Sequence, residues 1–225
     1  MLRYLRLYKS FVRNCFIRDM GFRANFIMQN VINFMWFFQT LIAIEVIYIQ
    51  TNSIGGWDKE SVYLLTIVYH LANSMLKSVV VNNIMKLGEK INSGDLDSIL
   101  LKPVNSLFWA ATRYVNFSQM VKLAVFCVIY VVYAFRINPR LSVLELTIAT
   151  LFLLVGQVGF VGFLIIWNSI SFWKPRVWNI QFIGLRVNDY AAFPAEMYKG
   201  IVRNMVYILP VAALATVPYF KGVGI

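Results

Sequence analysis

Four mainly apolar runs, each near or above the length of a bilayer span, are the strongest constraint on this chain. They run at about Phe26–Gln50, Ser61–Val81, Tyr114–Phe135 and Val143–Asn168. A helix crossing the hydrocarbon core needs about 20 mainly apolar residues. No water is available there for unpaired backbone groups, so each run must close its own hydrogen bonds as a helix. The expected fold is therefore an all-α membrane protein. It is a polytopic helical bundle forming one transmembrane domain over residues 1–225.

The charge distribution supports this class. Charged residues make up 14% of the 225 residues, against about 25% in globular domains. The net charge of +11 is spread over short connections and forms no basic patch interleaved with stacking aromatics, so nucleic acid is not an expected partner. Two cysteines, Cys15 and Cys127, and a single histidine exclude a disulfide framework and a His/Cys metal cluster.

Residues 1–24 form a basic segment in which Arg3, Arg6, Lys9 and Arg13 recur at helical spacing. Leu5, Tyr8, Val12 and Phe16 fall mostly on another side. This pattern predicts an interfacial amphipathic helix at the headgroup level, in contact with membrane lipid. It does not read as a signal peptide, because no short apolar core with a small-residue cleavage site follows.

After the fourth run the pattern weakens. A fifth segment, about Val177–Phe193, contains Arg186 and Asp189. The last apolar run, Met205–Phe220, has Pro210 and Pro218 and reaches about 24 Å as a helix, short of the ~30 Å core. The expectation is five to six transmembrane segments, with a re-entrant extracytoplasmic hairpin over residues 193–220. Twelve Lys and Arg lie in residues 1–24, 82–113 and 171–176, against six on the other side. The positive-inside rule then places the N-terminus in the cytoplasm of a multi-pass inner-membrane protein.

Polar residues inside the runs are candidates for function, and each also has a plain packing account. Glu45 either snorkels beside Tyr48 at the interface or serves a substrate or ion pathway. Lys77 lies near the inner end of its run. Lys122 is about two turns into the third run and calls for a partner or polar cavity. His70, with Asn73 one turn on, reads as a helix contact or part of a proton relay. Arg186 and Asp189 can pair at i, i+3, which either makes a marginal span tolerable or lines a polar path. Gly156, Gly159 and Gly162 read as a close helix-packing site. The chain has no phosphate-binding GxxxxGK[ST] loop, nucleophile elbow or HExxH motif, so it is not expected to be an enzyme.

The water-side segment 82–113 contains "INSGDLDSILLKPVN". Gly94 permits a turn, Asp95 caps a short helix, and Asp97 adds negative charge to its first turn. Lys102 sits at its C-terminal end and Pro103 stops it. Leu96, Ile99 and Leu100 share one face. A helix this short needs a surface to hold it, either a partner or the inner ends of the chain's own spans.

Together with "SFWKPR" at 171–176 and "AAFPAEMYKGIVRN" and "VYILPVAALATVPYF" near the end, this stretch resembles the permease subunits of type-2 ABC exporters, specifically a subgroup of small permeases. The resemblance implies a half-unit of about six helices, a second permease as homodimer or heterodimer partner, and a dimer of cytoplasmic ABC ATPases. It maps the ATPase-coupling element onto Gly94–Pro103 and the re-entrant hairpin onto Phe193–Phe220. ATP and magnesium are expected on the ATPase, with no cofactor on this chain. Members of the family normally continue into a further helix where this chain ends in "KGVGI". The expected function is ATP-driven outward transport by alternating access or lateral extrusion. Two rivals are a membrane assembly or scaffold subunit and an ion-coupled carrier using Glu45, His70 and Lys122.

Overall fold

The computed structural model describes residues 2–53, 56–94, 97–98, 101, 104–139, 142–170, 184–186, 188–192, 194 and 198–200. Its elements in chain order are α1 (Leu2–Gly21), α2 (Arg23–Gln50), α3 (Lys59–Ser93), α4 (Ser106–Thr112), α5 (Phe117–Ile137), α6 (Val143–Ser169) and a 3-10 turn at Tyr190–Ala192. Among the described residues, four helices are long and apolar enough to cross a membrane: α2, the Lys59–Ile84 part of α3, α5 and α6. The expected fifth segment is described only in part, and residues 201–220 of the expected hairpin lie outside the described residues.

The helix α3 is the axis of the bundle. In its most apolar stretch 72% of residues are buried, against 6% in α2. This explains why the second run is so polar for a membrane segment. Thr66, His70, Asn73, Ser74, Ser78 and Asn83 are all buried, facing neighbouring helices where lipid cannot reach them. Thr66, Ser74 and Ser78 turn their hydroxyls back to the carbonyls of Val62, Leu71 and Met75. The other spans surround α3. Phe37, Leu64, Leu71, Phe126, Tyr130 and Leu153 join α2, α3, α5 and α6 in one apolar core.

Side-chain caps set the helix boundaries. Asn105 accepts the Phe108 N–H at 3.0 Å to start α4. Asn116 accepts the Gln119 N–H at 3.2 Å to start α5, so α5 begins at Phe117 and not at Tyr114 as the apolar pattern suggests. Ser142 and Glu145 form a reciprocal capping box at α6. At the end of α3, Gly94 has φ +78°, the left-handed conformation that glycine adopts most readily after a helix.

The segment α1 has three faces. Phe11 and Cys15 are buried, with Leu7 packed beside them. Leu5 and Phe16 are exposed on the neighbouring side. Arg3, Arg6, Lys9 and Arg13 are exposed on the remaining arc. The docked stripe was not evident from the sequence pattern, because Leu5 and Phe16 are equally apolar.

Candidate functional site

The helix α3 has 35 residues, about 52 Å at 1.5 Å per residue. Roughly 20 Å therefore projects beyond a ~30 Å hydrocarbon core. Residues 82–93, expected to belong to a water-side segment, are a continuous extension of this central helix.

The projecting end is fastened by a dense set of contacts. The Asn83 side chain donates to the Tyr114 carbonyl and accepts the Tyr114 N–H, both at 2.8 Å. The Asn116 N–H donates to the Ser78 carbonyl at 2.8 Å. On the other flank, Cys15 Sγ donates to the Arg113 carbonyl and accepts the Val115 N–H, while Asp19 accepts the Phe117 N–H at 3.3 Å. Residues 113–116 and the first residue of α5 are thus held between α1 and α3, although 113–116 are not helical. Unpaired backbone groups there would be costly, and these side chains satisfy them.

Cations stacked on aromatic faces reinforce the junction. Lys86 lies 3.7 Å from the Tyr114 ring centroid, Lys90 lies 4.7 Å from Trp109, and Arg113 lies about 5 Å from both Phe11 and Trp109. Each such contact contributes about 0.5–2 kcal/mol, depending on its exposure to water. Tyr4 packs edge-on to Phe108 and Phe16 to Phe117. Consequently α1, the end of α3, α4 and the start of α5 form one fastened unit on one face of the bundle.

That unit adjoins the candidate coupling stretch. Gly94 and Asp97 are described; the Asp97 carbonyl accepts the Leu101 N–H at 3.1 Å. Leu101 is 86% exposed. Asp95, Leu96, Ile99, Leu100, Lys102 and Pro103 lie outside the described residues.

The membrane-embedded candidates separate into two groups. Glu45 is at the opposite end of the bundle, accepting from Lys59 Nζ at 2.6 Å and from the Tyr63 hydroxyl. Both ionic side chains are about half exposed, at 50% and 41%. Glu45 lines a groove of about 520 Å³ with Glu60, Tyr63, Tyr133 and Arg136. Next to it, Tyr48 donates to the Trp57 carbonyl. His70 lies deeper in the bundle, where it packs on Phe37, eight residues or about 12 Å from Glu45 along α2.

His70 is stacked on Phe126 and edge-on to Phe37, each with ring centroids 5.2 Å apart. Toward the fastened end the next layer is polar. Gln119 donates to Asn33 at 2.9 Å, and Lys122 is buried one turn further along α5. On another side of α3, Asn73 donates to the Tyr69 hydroxyl, and that hydroxyl donates to Asp189, both at 3.0 Å. Asp189 also pairs with Arg186 at 3.1 Å. Lys77 lies within electrostatic reach of Asp189, Arg186 and Lys122. The structure therefore gathers His70, Lys77, Lys122, Asp189 and Arg186 around the middle of α3 and leaves Glu45 apart.

Sequence reasoning missed Tyr69, Asn83, Asn33 and Gln119. Tyr69 lies in the middle of an apolar run, and nothing in its spacing marks a partner 120 positions away. Asn33 and Gln119 gave one available signal, an amide side chain within each of two mainly apolar runs.

In α6, Gly156 lies on the buried stripe with Leu153, Gln157, Phe160 and Leu164, while Gly159 is exposed. A Cβ at Gly162 would meet nothing within 4 Å. At Gly184, a Cβ would lie 2.8 Å from the Trp167 indole, so this close approach requires glycine.

Among the described residues no three His, Cys, Asp or Glu side chains are grouped to hold a metal ion. The family model for ABC-2 family transporter proteins matches residues 34–224. No curated protein and no solved structure matches the chain. The chain belongs to the ABC-2 transporter family, as a membrane permease component of an ABC transporter.

Proposed function

We propose that this family member is the permease subunit of an exporter, moving its substrate outward with energy from ATP hydrolysed on a separate cytoplasmic ATPase dimer. The observation that carries the reading is the continuity of α3. One helix runs from the buried centre of the bundle to Ser93, adjacent to the candidate coupling element at Gly94–Pro103. ATPase closure pushes that element, and the fastened unit of α1, α3, α4 and α5 passes the displacement into the spans as a rigid body. Cation–π contacts and the Asn83 clamp support this role because they join the end of α3 to the start of α5.

In this reading the N-terminus and residues 82–113 face the cytoplasm of the inner membrane, and a second permease completes the pathway. The same-side docking of α1 on α4 supports a common face for both segments. The test is affinity purification of the tagged protein with its natural genetic neighbours, followed by mass spectrometry. An ABC ATPase recovered with wild type and lost with Ile99→Asp supports the reading. A partner retained by Ile99→Asp contradicts the coupling assignment and favours a scaffold role.

A further inference from the structure

The groove at the Glu45 end of the bundle is divided along its length as an amphiphile is. Its volume of about 520 Å³ falls in the ~300–1,000 Å³ range of small-molecule sites. The helix α3 runs antiparallel to α2 and α5, pairing Tyr63 with Glu45 and Glu60 with Tyr133 at one level and His70 with Phe37 and Phe126 at another. Like residues therefore meet at like depths. Phe38, Leu41 and Ile42 of α2, Ile67 of α3 and Ile129 of α5 line the deeper part; Glu45, Glu60, Tyr63, Tyr133 and Arg136 line the other. From Phe38 to Glu45 is about 10 Å along α2. Phe38, Ile42 and Val46 are exposed, so the apolar part opens sideways, where acyl chains of a bilayer lie.

The polar part carries both signs of charge. Glu45 is engaged by Lys59 and the Tyr63 hydroxyl. Glu60 accepts from the neutral Tyr133 hydroxyl, and Arg136 follows Tyr133 by one turn of α5. Glu60 and Arg136 are both exposed, and they form no ion pair with each other. An acid and a base thus line one groove, on either side of Tyr133 in its contacts and sequence, without closing on one another.

We propose that this groove binds a zwitterionic phospholipid with a primary ammonium headgroup. The ammonium meets Glu60, the phosphate meets Arg136, and an acyl chain runs along Phe38, Leu41 and Ile42. An uncharged apolar molecule leaves both charges unused, a cationic amphiphile meets Arg136, and an anionic one meets two carboxylates. A primary ammonium has the N–H donors that a charge-assisted hydrogen bond to Glu60 needs, and a quaternary one has none. The site goes beyond the transport reading and does not depend on it.

Native mass spectrometry in a nonionic detergent tests the site on the intact chain. The probes are phosphatidylethanolamine, phosphatidylcholine and phosphatidylglycerol with identical acyl chains. Wild type is expected to bind phosphatidylethanolamine the most tightly of the three. Glu60→Gln keeps an oxygen for the Tyr133 hydroxyl and removes the charge. It should weaken phosphatidylethanolamine about tenfold, as expected for one charge-assisted contact, and leave phosphatidylglycerol no weaker. Arg136→Gln should weaken both, since both carry the phosphate, and Ile42→Trp should weaken all three lipids by filling the groove. Wild type that binds none of the lipids, or all three equally, overturns the proposal, as does unchanged phosphatidylethanolamine binding in Glu60→Gln. So does displacement of the lipid by an equal concentration of phosphoethanolamine, which would make the headgroup alone the ligand. An Ile42→Trp variant that alters self-association and not lipid binding assigns the groove to a second copy of the chain and also overturns it. No ATPase enters this assay, so a missing ATPase partner would overturn the transport reading without affecting this result.

Discussion

Asn83 and Tyr114 are joined by two hydrogen bonds of 2.8 Å, the side-chain amide of one closing both backbone groups of the other. The amide spans 31 positions in sequence and fixes where the C-terminal part of α3 meets the entry to α5. Replacing Asn83 with Ala would leave a partly buried N–H and C=O unpaired, at about 1–3 kcal/mol each before relaxation. Thermal unfolding in detergent should show a lower Tm, with Asn83→Asp intermediate because it keeps an acceptor and loses the donor. An unchanged Tm for Asn83→Ala would mean that this junction is not a rigid one.

Two glycines should respond in opposite ways. Gly184→Ala puts a methyl 2.8 Å from the Trp167 indole and should lower stability by about 1–3 kcal/mol through overpacking. Gly162→Ala has open space around it and should gain up to about 1 kcal/mol from helix propensity. If Gly162→Ala instead weakens dimerisation in a crosslinking assay, residue 162 packs against the second permease.

The capping box at α6 gives a separate stability test. Ser142→Ala removes the acceptor for the Glu145 N–H and should cost about 0.5–2 kcal/mol. Ser142→Asp should retain most of it. Circular dichroism melts of the two variants distinguish the cap from a general effect of the loop.

Topology is tested by single cysteines in a background with Cys15→Ser and Cys127→Ser. Ser53 and Pro139 are exposed at one end of the bundle and Ser93 at the other. An impermeant thiol reagent applied to intact cells should label cysteine at 53 and 139 and not at 93. Labelling at 93 alone would reverse the orientation.

The four spans were legible because apolar length is a local property, and the caps at Asn116 and Ser142 refined their ends by only a few residues. The extension of α3 was not legible. Residues 82–93 are polar enough for a water-side loop, and their contacts with Tyr114 and Trp109 give a reason to stay helical. The polarity of the second run was visible, but its cause was spatial: α3 is central, so His70 and Asn73 face protein. Spacing predicted that Arg186 and Asp189 can meet on one turn. The link from Asp189 to Tyr69 crosses 120 positions, which no single-sequence periodicity reports. The Leu96, Ile99 and Leu100 face remains a sequence-based expectation, since those residues lie outside the described ones.

The central claim is that ATP hydrolysis on a partner is transmitted through residues 94–103 into this bundle. The direct measurement is ATP hydrolysis and substrate flux by the purified complex in proteoliposomes, using cargo identified from the co-purified material. Ile99→Asp places a charge on the proposed docking face, outside the bilayer, where burial of each apolar side chain contributes about 1.5–3 kcal/mol. The account predicts that the variant inserts with wild-type stability, yet loses ATP-dependent flux and ATPase association together. Normal flux and ATPase association in Ile99→Asp would contradict it.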